Sequence, residues 1–97
     1  MDYKQKLEYQ SNYWYNDGLK KAQIRDLSGA IVSLKRSLQF NRENITARNL
    51  LGLVYYGRGE VAEALVEWII SNNFRASENI GSYFISKVQV NASELEK

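Results

Sequence analysis

Cysteine, histidine and proline are all missing from this 97-residue chain, and each absence removes a class of function. Without cysteine there is no disulfide framework and no thiolate chemistry, which fits a reducing, cytoplasmic setting. Without histidine no serine has its usual general base, and the common zinc donor sets cannot be assembled. Without proline, glycine and asparagine are left to end the helices. Charge of one sign is also scarce: 13 Lys and Arg stand against 11 Asp and Glu, a net +2. That balance gives no electrostatic case for a nucleic acid or an anionic membrane as partner. No apolar run is long enough to span a bilayer, and the opening Met1-Asp2-Tyr3-Lys4-Gln5-Lys6 lacks the apolar core of a signal peptide. The expectation is a non-enzymatic protein with no cofactor, no metal and no membrane contact.

What is present is a repeat. Gly18 recurs as Gly52, Leu19 as Leu53, Ala30 as Ala64, Val32 as Val66, Ser37 as Ser71 and Phe40 as Phe74, all at a spacing of 34 residues. Like-for-like pairs lie between them: Asp26 with Glu60, Leu27 with Val61, Ile31 with Leu65, Leu34 with Trp68. A fixed period of this length marks units too small to bury their own apolar faces, which therefore stack on one another. Such stacks usually present a binding surface.

Apolar residues fall at helical spacing almost throughout, and no segment alternates long enough to read as a strand. A long first helix is expected over about residues 3–24, through Tyr3, Leu7, Gln10 and Trp14. Asp26 is placed to cap a second helix that buries Leu27, Ala30, Ile31, Leu34 and Leu38 and ends near Phe40-Asn41. Asn44 caps a third, and Gly57-Arg58-Gly59 breaks it. A fourth is expected from about Val61 to Asn72. Ser77 would cap a fifth carrying Ile80, Tyr83, Phe84 and Val88, with a polar tail from Asn91.

Laid out this way, the chain resembles the tetratricopeptide repeat family, whose unit is a helix–turn–helix with the skeleton W-x2-L-G-x2-Y followed by Ala and an aromatic. In a first unit, about 11–44, Trp14, Gly18, Ala30 and Leu34 stand at the packing positions. In a second, about 45–78, Gly52, Tyr55, Ala64 and Trp68 match more fully. Asp17 replaces the expected Leu, Lys21 the Tyr, and Arg42 and Ala76 the closing Pro. The resemblance implies an all-α fold: two stacked repeats of a right-handed solenoid, with an extended N-terminal helix and a capping helix at about 79–90. It also implies that Gly18 and Gly52 face Ala30 and Ala64 where helices approach closely.

The family's first helices line a concave groove. By that resemblance the groove residues here are Asn12, Tyr15, Leu19 and Gln23, with Thr46, Asn49, Leu53 and Tyr56, a set suited to a peptide or an amphipathic helix. A subclass grips free carboxylates, but the equivalent positions hold Tyr15, Leu19, Leu50, Ile80 and Phe84, which cannot. The fourth helix is apolar nearly all round, because Lys35-Arg36 of the first unit becomes Ile69-Ile70. That change suggests a homodimer through Ile69 and Ile70, unless the tail or the loop at Phe74 folds back over them. For the chain as a whole, the alternative to a peptide-binding module is a self-associating assembly element, the front of a longer repeat protein.

Other clusters read more simply. Glu60, Glu63 and Glu67 look like a solvated helix face, and Asp17–Lys21 like a surface ion pair. Gly57-Arg58-Gly59 is a turn without the context of a phosphate loop. The sequons at Asn44 and Asn91 lack a secretion signal and are incidental.

Overall fold

The computed structural model describes residues 1–74 and 84–89. It contains α1 (Tyr3–Gln23), α2 (Leu27–Phe40), α3 (Ile45–Gly57) and α4 (Val61–Phe74), with a further helical stretch over residues 84–89. The architecture is all-α: α1 packs on α2 and α3 on α4 as helix–turn–helix pairs, and the second pair stacks on the first through α2 and α3. Ser77, Ile80, Tyr83, Ala76 and the tail with its Asn91 sequon lie outside the described residues. The fourth helix runs two residues past the expected end, to Phe74.

The caps are local and legible. Asp2 and Gln5 form a reciprocal capping box on α1, each side chain bonding the other's backbone N–H. Asp26 accepts from the Gly29 amide at 3.0 Å, and Asn44 from the Ala47 amide at 3.1 Å.

The repeat is visible in backbone hydrogen bonds as well as in identities. The Asp26 amide reaches back to the Lys21 carbonyl and the Glu60 amide to the Tyr55 carbonyl, both at 2.9 Å. These are the same six-to-one helix-closing bond, displaced by one period. Between them, Arg25 and Gly59 occupy the same left-handed position, with φ of 67° and 82°. Glycine adopts it freely in the second unit; arginine holds it against steric cost in the first.

Close packing follows the same register. A Cβ on Gly18 would fall 2.7 Å from Leu34 Cγ, and one on Gly52 would fall 2.6 Å from Trp68 Cδ1. The glycines therefore make room for Leu34 and Trp68, side chains four residues beyond the alanines expected opposite them. Ala30 contributes its carbonyl, 3.4 Å from the Gly18 position, and both Ala30 and Ala64 are wholly buried. Leu34 and Trp68 thus fill the space inside each helix pair. Trp68 also reaches beyond its own helix pair, stacking on Phe84 at 5.1 Å between ring centroids. The core joins them to Ile31, Ala47, Leu51, Val54 and Tyr55. Burying a side chain of that size contributes roughly 1.5–3 kcal/mol.

Two polar devices cross the helix pairs. Ser37 Oγ donates to the Ser11 carbonyl at 2.7 Å, which leaves the Ser11 hydroxyl to donate to Ser37 Oγ at 3.0 Å. Asn44 Nδ2 then bonds Ser11 Oγ at 2.9 Å and Asn12 Oδ1 at 3.2 Å, tying the start of α3 to α1. In the second pair Arg48 donates to Glu67 at 2.9 Å and to the Arg42 carbonyl at 2.7 Å, with both charged side chains largely buried. Glu67 is therefore not part of a solvated acidic face: its partner comes from the neighbouring helix.

Candidate protein-interaction face

α1 and α3 are in contact, and the groove residues expected from the repeat register are divided between them. Leu53 and Tyr56 on α3 are 40% and 41% exposed, large apolar surfaces left open to solvent. Tyr56 is braced from below, its ring centroid 6.1 Å from that of Trp68. On α1, Asn12 and Gln23 are exposed, Leu19 is half-buried, and Tyr15 is half-buried against the core. Thr46 is exposed at the first turn of α3. Asn49 differs from the expectation: it is only 8% exposed, and its carbonyl accepts the Trp68 indole N–H at 3.2 Å. Its place on α3 turns it toward α4, so it supports the surface from beneath.

The indole bond matters for the site because it holds Trp68 in one orientation, and Trp68 in turn supports Tyr56. Asn12 is also committed, accepting from Asn44. The exposed apolar surface of this face is thus limited to Leu53, Tyr56 and the edges of Tyr15 and Leu19, with the Asn12 and Gln23 amides at opposite ends of the α1 row.

Trp14 does not enter the core. It is half-buried on the flank, with the Arg36 guanidinium 4.6 Å above its ring and Tyr13 edge-on at 5.3 Å. Its equivalent in the second unit is Arg48, so this position is polar-lined in both pairs. Asp17 and Lys21 form their expected ion pair at 2.8 Å, which Ser33 completes by donating to Asp17 at 2.5 Å and accepting from Lys21 at 3.0 Å. The Lys21 and Ser33 hydrogen bonds hold the Asp17 carboxyl below the ordinary aspartate range. Nothing in the sequence pattern pointed to Ser33; the signal was only a serine on the inner face of α2.

Ile69 and Ile70 do not form one patch. Consecutive helical residues point about 100° apart, and here Ile69 is 49% exposed while Ile70 is half-buried. Ile69 shares the outer surface of α4 with Val66 and Val61. Phe84, Ile85 and Val88 pack against the core beside α4.

No family model matches the chain. Over 45 residues it is 42% identical to the BBSome complex member bbs-4 of Caenorhabditis elegans, a match that covers 46% of this chain and 10% of that protein. The alignment therefore spans about a tenth of the relative's length. No helix among the described residues is long and apolar enough to cross a membrane.

Proposed function

We propose that this chain is a tetratricopeptide-type repeat segment, with units at about 11–44 and 45–78, that binds a protein partner and carries out no reaction. The partner's peptide or helix lies along the face shared by α1 and α3. The observation that carries this reading is the recurrence of one geometry: glycine against a large side chain, a left-handed residue, and the same closing hydrogen bond, each repeated after 34 residues. A stack built that way leaves one side of its first helices open, and here that side carries Leu53 and Tyr56 over a rigid Trp68. Similarity to a member of a multiprotein complex supports a scaffolding role within a larger assembly.

Selection of peptides from a displayed library against the immobilised chain tests the proposal. Selected peptides should lose binding to a Tyr15→Ala, Tyr56→Ala variant whose far-ultraviolet circular dichroism matches wild type. Undiminished binding sinks the reading. A second reading, self-association, is favoured by the exposure of Val66 and Ile69 on α4. Ile69→Lys should then convert a concentration-dependent dimer to monomer in sedimentation velocity, and a monomeric wild type removes it.

A further inference from the structure

One period separates Tyr13 from Ala47, Asn16 from Leu50, Lys20 from Val54 and Gln23 from Gly57. On α3 these four positions form the seam between units. Ala47 and Val54 are buried in the core with Ile31 and Leu34 of α2, Leu50 packs against that core, and the Gly57 Cβ position lies 3.8 Å from Leu27 of α2. On α1 the same stripe faces outward, with no helix laid along it among the described residues. Its residues are not those of a bare solvated face. Lys6, Tyr9, Tyr13 and Lys20 follow one another at i, i+3, i+7 and i+14, which keeps them on one side of the helix. Tyr9 and Tyr13 are 60% and 56% exposed, and both lysines are exposed and make no ion pair among the described residues. Tyr13 is propped edge-on by Trp14, which Arg36 covers.

We propose that this stripe is a second docking surface, and that its occupant is an acidic amphipathic helix of a partner protein, lying along α1 as α2 lies along α3. The seam on α3 supplies the template for the shape, since a helix of this period already occupies the equivalent stripe one unit later. Charge supplies the partner's chemistry. The acids on or beside the stripe are already engaged: Asp2 caps the Gln5 amide, and Asp17, which also feels the Lys20 charge, is held by Lys21 and Ser33. A further apolar repeat helix fits the stripe poorly because it would bury Lys20 without a counter-charge. Exposed tyrosines offer apolar area with little rotamer entropy to lose, as binding anchors do. Two lysines neutralise too few phosphates to hold a nucleic acid.

A stapled, fluorescein-labelled peptide carrying the α2 sequence, residues 27–40, with Lys35→Glu and Arg36→Glu, is the probe. Fluorescence anisotropy with the full chain should show binding that weakens at least about tenfold in a Tyr13→Ala, Lys20→Glu variant. Binding should weaken as salt rises and stay unchanged in Tyr56→Ala. Amide shifts should concentrate between Lys6 and Ile24 on α1. The proposal is overturned if the peptide fails to bind at about 1 mM, if the unaltered basic α2 peptide binds as well, or if an oligouridylate of equal charge binds more tightly. Loss of binding in Tyr56→Ala would place the peptide on the α1–α3 face instead. That outcome leaves the proposed function standing while removing this one.

Discussion

Gly52→Ala places a methyl group where the indole of Trp68 already sits, with Trp68 Cδ1 and Cε2 at 2.6 and 2.7 Å and Nε1 nearer still. The indole cannot yield easily. Its N–H is bonded to the Asn49 carbonyl, one face stacks on Phe84, and the residue is 1% exposed. Forcing it aside costs about 1–3 kcal/mol for overpacking and a similar amount for stranding the buried N–H. Replacing glycine inside a helix returns about 1 kcal/mol of backbone propensity. The net is a destabilisation of about 3 kcal/mol, measurable as a lower urea midpoint followed by circular dichroism at 222 nm. Gly18→Ala should cost less, since its two closest contacts belong to a leucine that can change rotamer and the Ala30 carbonyl lies no nearer than 3.4 Å. A double-mutant cycle adds Trp68→Leu, the residue pairing of the first unit. It should recover part of the loss, with a coupling of about 1–3 kcal/mol. A Gly52→Ala variant as stable as wild type, or more so, would show that propensity outweighs packing and that α3 and α4 are not held together through Trp68.

Arg48→Met should cost about 3–5 kcal/mol by leaving Glu67 buried without its partner, whereas Arg48→Met with Glu67→Leu should regain most of it in thermal melts. Equal losses in the two variants would refute a paired burial. Arg25→Gly should stabilise the chain by about 0.5–1 kcal/mol, because it relieves a left-handed arginine; a lower melting temperature contradicts the backbone geometry. Asp17 has a depressed pKa, so its contribution is fully present above the unfolded value of about 4 and is lost as pH falls through the lower folded value. Asp17→Asn should therefore flatten the acid limb of a stability–pH profile, and parallel wild-type and variant curves below about pH 4 would rule that out.

The period of 34, the helix-capping residues Asp26 and Asn44, and the small residues at 18, 30, 52 and 64 were legible in the chain because they are local or strictly in phase. The order of helices follows from them. What was hidden depends on neighbours in space. Glu67 read as a member of an exposed acidic row because spacing along one helix says nothing about Arg48 on the next. The short turn at Arg25-Asp26 was legible, but Arg25 has no left-handed signature of its own, and only its alignment with Gly59 reveals that bend. Asn49 and the Ile69–Ile70 pair were placed by position in a pattern, while their burial is decided by the angle at which α3 and α4 cross. The proposed groove was partly visible: Leu53 and Tyr56 stand open as the repeat register suggests, but nothing in the sequence showed that Trp68 would brace the tyrosine.

Asn44 divides one side chain between two structural duties. Its oxygen closes the first turn of α3, while its nitrogen spans to Ser11 and Asn12 on α1. In a solenoid, superhelical pitch is the sum of small rotations between adjacent units, and here one amide adds a polar tether to the apolar α2–α3 seam that sets one such rotation. The angle between α1 and α3 is therefore set on folding, and under the proposed function a partner of that face would not have to order it again on binding. Asn44→Asp would keep the cap and remove the amide donor to Ser11 and Asn12, leaving the apolar seam alone to hold the angle.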